Sequence, residues 1–310
     1  MAPLPLLPYS LPEKWRSAGR PPTAIPSPIS QRGSPLTLLL PHGTSLTLGS
    51  PIPVMGIVNA TPDSFSDGGA FASADEAAAH GERLVAEGAA IVDVGGESTR
   101  PGATAVAAEE EASRVVPVIA ALHRRLAAPI SVDTSKARVA AAAIEAGASI
   151  VNDVWGFQRD GEMARVVADS GAAAALMHNR TSVDPKLDIV ADILAFLSRS
   201  IDIALAAGVA ERRLLVDPGF GFGKTPAQNL CLIRRLRELA PLGRPVLLGV
   251  SRKSTIGVVT GQKAPAERLA GSIAAGLMGV ANGAAILRVH DVAPHVQALQ
   301  VWSAIGESRR

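Results

Sequence analysis

The feature that most constrains this chain is an eightfold alternation: short apolar runs, each ending at a polar residue, separated by stretches of helical periodicity. Residues 54–58 run into Asn59, 90–94 into Gly95-Gly96-Glu97-Ser98-Thr99-Arg100, and 129–132 into Asp133. Further on, 149–151 end at Asn152, 172–177 at His178, 214–216 at Asp217, 246–250 at Ser251-Arg252-Lys253, and 284–287 at Arg288-Val289-His290. Short runs rich in Val, Ile, Leu and Ala suit strands of a parallel sheet buried on both faces. Eight strand–loop–helix repeats predict an α/β fold, a single (β/α)8 TIM barrel, whose active site collects at the C-terminal strand ends. The polar residues that end the runs are therefore expected to share one site.

Composition agrees. Hydrophobic residues make up 47% of the 310, but aromatics only 3%, so the core must be aliphatic. The formal net charge is +2, with no basic stripe interleaved with aromatics, which argues against nucleic-acid binding. Cys231 is the only cysteine; it excludes an internal disulfide and fits a reducing cytoplasm. No apolar run approaches the roughly 20 residues that cross a bilayer. The opening Met1-Ala2-Pro3-Leu4-Pro5 lacks the basic start of a signal peptide. A cytoplasmic protein with no membrane partner is expected.

Residues 1–34 carry eight prolines between Pro3 and Pro28 and read as a loosely ordered, proline-rich extension. Residues 35–305 read as the barrel. It is preceded by a β-hairpin, 36–40 and 45–48 around Pro41-His42-Gly43-Thr44, expected to close the barrel bottom. Val115, Ile119, Leu122 and Leu126 form one helical stripe, and Ile189, Ile193, Leu197 and Ile201 another. Gly88, Gly147, Gly171 and Gly208 read as helix stops. A helix over 227–239 would hold Cys231 as a packing residue.

Several segments carry chemistry. The loop after the first run, Asn59-Ala60-Thr61-Pro62-Asp63-Ser64-Phe65-Ser66-Asp67-Gly68-Gly69, is long and nearly free of apolar residues. Asn59 offers an amide oxygen to a hard cation such as Mg2+, and Asp63, Phe65 and Asp67 are costly residues for an idle loop. In Gly95-Gly96-Glu97-Ser98-Thr99-Arg100-Pro101-Gly102, glycines permit close approach, and Ser98, Thr99 and Arg100 are donors suited to phosphate. A flexible surface loop would read the same way. Asp133 next to Thr134-Ser135 could be helix-cap chemistry, and Asp217-Pro218-Gly219 only a turn. What favours a site is convergence: Asp133, Asn152 and Asp217 at strand ends make a rim suited to a flat, donor-rich heterocycle. Gly223-Lys224-Thr225 invites a P-loop reading, which fails because Pro218 stands where its first glycine belongs. Ser251-Arg252-Lys253-Ser254 opens a helix and, with Arg288 and His290, occupies the usual phosphate location of a barrel.

These segments, in this order, resemble the dihydropteroate synthase family, folate-pathway enzymes that sulfonamides inhibit. The resemblance runs from about residue 36 to 303 and includes 55–69, 93–102, 131–134, 151–154, 176–178, 217–224, 251–254 and 288–292. The family does not generally carry the proline-rich extension. The resemblance implies condensation of 7,8-dihydropterin-6-ylmethyl diphosphate with 4-aminobenzoate to 7,8-dihydropteroate and diphosphate. It implies that Asp133, Asn152, Asp217 and Lys253 hold the pterin, with Met177 and Phe222 packed near its ring. By the same likeness, Arg288, His290 and Thr99 hold the diphosphate and Asn59 ligates Mg2+. Arg100, Pro101, Phe65 and Ser254 shape the aminobenzoate pocket, and Asp67 helps to close it. A homodimer is implied on the same ground. Aminobenzoate is then expected to bind weakly until Mg2+ and diphosphate are in place.

Three rivals remain. A pterin-binding methyltransferase acting on a corrinoid protein would share the acid- and amide-rimmed pocket but would not need Mg2+, a diphosphate cradle or the Ser251–Ser254 cluster. A catalytically silent pterin-binding paralogue would be expected to show eroded motifs, and none is eroded. A glycoside hydrolase would need aromatic platforms that Trp15, Trp155 and Trp302 do not supply.

Overall fold

The computed structural model describes residues 36–49, 51–60, 70–98 and 106–308. The expected extension, residues 1–34, lies outside them. Strands β1 (Leu36–Leu39) and β2 (Ser45–Leu48) form the hairpin, antiparallel with Leu36 opposite Leu48. Its corner is a 3-10 turn at Pro41–Gly43, where proline starts the turn and the Thr44 hydroxyl donates to the Pro41 carbonyl at 2.9 Å.

Eight parallel strands follow and close into a barrel: β3 (Val54–Asn59), β4 (Ile91–Gly95), β5 (Ile130–Asp133), β6 (Ile150–Asp153), β7 (Ala173–Met177), β8 (Leu214–Asp217), β9 (Val246–Leu248) and β10 (Ala284–Val289). Each pairs with its neighbour in chain order, and β10 returns to β3 with Val289 opposite Gly56. Helices α1 (Ala70–Ala86), α2 (Ala108–Arg125), α3 (Ala137–Glu145), α4 (Met163–Ser170), α5 (Ile189–Ala206), α6 (Pro226–Arg234), α7 (Ser254–Thr260), α8 (Leu269–Ala281) and α9 (Val292–Glu307) follow the strands, α7 and α8 both falling between β9 and β10. The TIM barrel and its N-terminal hairpin are as the sequence predicts.

Strand side chains alternate between two apolar regions, as a period of two requires. Val92, Val94, Val132, Val151, Leu176, Val216 and Val289 point out to the helices. Met55, Ile91, Ile150, Ala173, Ala175, Leu215, Leu247 and Ile286 fill the barrel, joined by Leu38, Leu40 and Leu48 of the hairpin. The hairpin therefore plugs the bottom. The expected helix stripes are buried: Val115, Ile119 and Leu122 on α2, and Ile189, Ile193, Leu197 and Ile201 on α5. All four glycines expected to stop helices have positive φ.

One element differs. The helix expected over 227–239 ends at Arg234, and Leu236–Leu242 form a 3-10 helix. A tighter turn puts Leu236, Leu239 and Leu242, three residues apart, on one face against the core. Among the described residues no helix is long and apolar enough to cross a membrane.

Candidate active site

The polar layer sits two residues above the barrel filling, by the same alternation. Ile91 leads to Asp93, Ile150 to Asn152, Ala175 to Met177, Leu215 to Asp217 and Ile286 to Arg288. Asn59, Gly95, Asp133 and Asn152 fall in one register row across β3 to β6, and Met177 lies opposite Asp217. Barrel closure thus brings the expected strand-end residues round one mouth.

Arg288 stands at its centre. Its Nε donates to Asp93 Oδ2 at 2.6 Å and its Nη2 to Asp133 Oδ2 at 2.6 Å. Asn152 Nδ2 donates to the same Asp93 oxygen at 3.1 Å. The second oxygens, Asp93 Oδ1 and Asp133 Oδ1, are buried with no partner among the described residues. A buried carboxylate oxygen left unpaired costs about 1–3 kcal/mol or more, so this layer is built to accept further donors. Asp93 is absent from the residues expected at the site. Its signal was available: a carboxylate interrupting the run 90–94, on the inward parity set by Ile91.

The charges are tuned by burial. Desolvation lifts Asp133 to about 7 against the opposing pull of Arg288, with Asp93 adding repulsion. Asp217 is raised for the same reason, although its Oδ1 accepts from the Gly219 amide at 2.7 Å and Lys253 and Arg288 favour its charge. Burial opposes the charge of Arg288, but Asp93 and Asp133 outweigh it and hold its pKa above the ordinary value.

A cationic rim lies above. Lys253 directly precedes α7 and places its Nζ 4.1 Å from the centroid of the Phe222 ring. His290 Nδ1 is 3.0 Å from Ser251 Oγ. Burial, then Arg288 and Arg252, push His290 down to about 3, so it is neutral at physiological pH. Arg252 itself turns away, with φ +57 and its Nε donating to Asp291 at 2.9 Å. Asn229 of α6 ties the β8 loop to α7, accepting from the Gly221 amide at 2.8 Å and donating to Thr255 at 2.9 Å. Ser254 and Asn59 are exposed, whereas Met177 is buried.

Asp63, Phe65, Asp67, Thr99, Arg100 and Pro101 lie outside the described residues. Where the second of those loops leaves and rejoins the barrel, Glu97 accepts from the Val106 amide at 3.0 Å and from Lys136 Nζ at 2.5 Å. Lys136 also pairs with buried Glu111. A cleft of about 320 Å3 lined by Glu97, Ser135, Lys136, Arg159, Asp160 and Gly161 opens at this end of the barrel. A larger one of about 520 Å3 lies beside the hairpin, remote from the strand ends.

Residues 55–290 match the family model of pterin binding enzymes. The dihydropteroate synthase of Clostridium beijerinckii is 47% identical over 253 residues, 81% of this chain and 93% of that protein. The Xanthomonas albilineans dihydropteroate synthase, solved with 4-aminobenzoic acid, is 49% identical with a TM-score of 0.83, covering 88% of this chain and 98% of its own. The Burkholderia cenocepacia enzyme, solved with 7,8-dihydropteroate, is 43% identical with a TM-score of 0.80, covering 89% and 98%. A family match spanning the barrel, relatives nearly half identical over almost their whole length, and the charged layer at the strand ends lead to one conclusion: the chain belongs to the pterin-binding enzymes and, within them, to the dihydropteroate synthase family.

Proposed function

We propose that this chain is a transferase that joins 7,8-dihydropterin-6-ylmethyl diphosphate to 4-aminobenzoate, releasing diphosphate. The observation that carries the reading is the buried layer of Asp93, Asp133, Asn152 and Asp217 around Arg288, with two carboxylate oxygens that have no partner among the described residues. A pterin presents an amino group and ring N–H groups that such oxygens accept. Its diphosphate then reaches Arg288, His290 and Lys253, where the charges of Arg288 and Arg252, which add to burial in lowering His290, favour an anion. The aminobenzoate ligand of the Xanthomonas neighbour and the dihydropteroate ligand of the Burkholderia one support the two sides of the condensation. The corrinoid methyltransferase alternative has no comparable support.

The chemistry needs no side-chain nucleophile. The methylene C–O bond to diphosphate breaks, its electron pair leaves with the diphosphate, and the aminobenzoate nitrogen attacks the methylene carbon and loses a proton. The positive charge that develops on the pterin methylene is stabilised by the carboxylates below it. Arg288, fixed by Asp93 and Asp133, is preorganised near the leaving group and reorients little. The donor set fits Mg2+: Asn59 would supply one hard amide oxygen, and the diphosphate oxygens would supply others. When bound, it would neutralise diphosphate charge. Thr99 joins the diphosphate contacts in this proposal, and Phe65, Asp67, Arg100, Pro101 and Ser254 the aminobenzoate side.

Two further parts belong to the proposal. Residues 1–34 are not needed for the chemistry, since 88% of this chain suffices to cover 98% of the Xanthomonas neighbour. The protein works in the cytoplasm as a homodimer, for which an apolar face on α7, α8 and α9 gives support: Val258, Val259, Met278, Val301 and Ile305 are all exposed.

Incubating purified protein with both substrates and Mg2+ should release diphosphate and dihydropteroate in equal amounts. Pterin binding without any turnover would instead support a silent pterin-binding paralogue.

A further inference from the structure

Beneath the pterin wall lies a buried charged chain that the condensation does not use. Lys224 follows the β8 loop and its Nζ meets three acceptors: His178 Nδ1 at 2.8 Å, the Gly219 carbonyl at 2.7 Å and the Phe222 carbonyl at 3.0 Å. Three acceptors round one amine match the three donors of an ammonium; a neutral amine has only two. His178 is fully buried at the end of β7, and its Nε2 is 2.9 Å from Asp192 on α5. Burial, then Lys224, push His178 down to about 4. The neutral ring must then accept at Nδ1 and donate from Nε2 to Asp192. Phe196 packs edge-on against the ring at 5.0 Å.

The two carbonyls that Lys224 holds bracket the turn between Asp217 and Lys224. Gly219, at φ +67, presses so closely on β7 that a Cβ there would stand 1.9 Å from the His178 carbonyl oxygen. Its amide donates to Asp217, and Phe222 at the far end carries the ring under Lys253. We propose that Lys224, seated on His178 and Asp192, is a positioning residue: its ammonium holds the Gly219–Phe222 turn so that Asp217 and Phe222 face the pterin together. The inference rests on the pterin assignment of that wall.

A pH dependence follows. The groups facing Lys224 are His178 at the β7 end, Asp192 on α5, Arg180 after β7, Asp217 at the β8 end and Lys253 after β9. Burial, aided by Arg180 and Lys253, brings Lys224 down to about 7, while Asp217 and Asp192 work to keep it charged. Above neutrality the ammonium is lost, one carbonyl loses its donor, and the turn loosens.

The test is calorimetry of pterin-6-carboxylate between pH 6 and 9, on the full chain and two variants. The ratio of variant to wild-type affinity cancels the ionisation of the probe itself. Wild-type affinity should fall about tenfold, ~1.4 kcal/mol, across the loss of the ammonium. Lys224→Met should bind weakly at pH 6, with that limb gone. Asp192→Asn, substituted at a partly exposed carboxylate, keeps the shape and removes a charge that supports Lys224, so its limb should move to lower pH. A merely structural role would lower the melting temperature and leave the limb in place. An unmoved limb in Asp192→Asn, or a wild-type profile in Lys224→Met, would overturn the inference alone. Wild-type protein that binds no pterin would overturn the pterin assignment and the inference with it.

Discussion

Asp217 and Asp133 are acids whose burial works against the fold. A carboxyl with a raised folded-state pKa is at no disadvantage below its unfolded pKa, and it costs stability as pH rises through the folded value. Asp217 therefore costs most at alkaline pH. Asp217→Asn retains an oxygen for the Gly219 amide and removes the desolvated charge. It should melt at or above wild type, by a larger margin at pH 8 than at pH 4.5. Pterin affinity should fall about 30-fold, since a charge-assisted hydrogen bond is worth ~2 kcal/mol. A lower melting temperature at pH 8 would show that the carboxylate supports the fold. His290 gives a second check. With its pKa at about 3 it does not titrate where histidines usually do, so any limb of KM for the pterin diphosphate near pH 6.5 should come from other groups and persist in His290→Asn. Such a limb, if it vanished in His290→Asn, would mean that the protonated ring binds the diphosphate. At this scale the sequence was only partly legible. Asp133, Asn152 and Asp217 ended apolar runs and were visible as polar punctuation. Asp93 sits inside a run rather than at its end; the interrupting carboxylate is visible in the sequence, and the closed barrel shows that its parity is the inward one. His178 also ended a run, yet its side chain turns from the mouth to Lys224.

Among the elements, strands were read most easily. Burial on both faces leaves little but Val, Ile, Leu and Ala, and the first polar residue marks the mouth. The segment after α6 was harder, because leucines three and four apart suit both an α-helix and a 3-10 turn until the packing partner is known. The hairpin was legible from its turn, and its packing yields a prediction. Leu38, Leu40 and Leu48 are at most 3% exposed and complete the floor of the barrel filling. Leu48→Ala opens a cavity there and should cost about 2–5 kcal/mol in chemical denaturation. The floor lies at the opposite end from Arg288 and Lys253, so both KM values should stay near wild type at a temperature where the variant is folded. A large rise in either KM would mean that the hairpin acts on the site through the barrel rather than merely closing it.

The whole molecule leaves one surface unexplained by the barrel itself. Of the large apolar side chains exposed among the described residues, Val258 and Val259 lie on α7, Met278 on α8, and Val301 and Ile305 on α9. Helix α8 packs against both α7 and α9, so the three helices are neighbours. Isolated exposed apolar residues are ordinary, and a group of them on adjacent helices supports the proposed dimer. A stable twofold contact buries about 800 Å2 on each partner. The face also bears on the chemistry. Helix α7 begins at Ser254, directly after Lys253, and Asn229 links it to the loop that carries Phe222. A partner packed on α7 would steady the Lys253 side of the mouth. Met278→Glu places a charge, 54% exposed in the single chain, where the partner would bury it unpaired. Wild-type protein should sediment as a dimer with a melting temperature that rises with concentration. The variant should sediment as a monomer, lose that concentration dependence, and show a higher KM for the pterin diphosphate with its barrel still folded by circular dichroism. A variant that sediments as wild type would move the interface elsewhere, and a monomeric wild type would remove the dimer from the proposal.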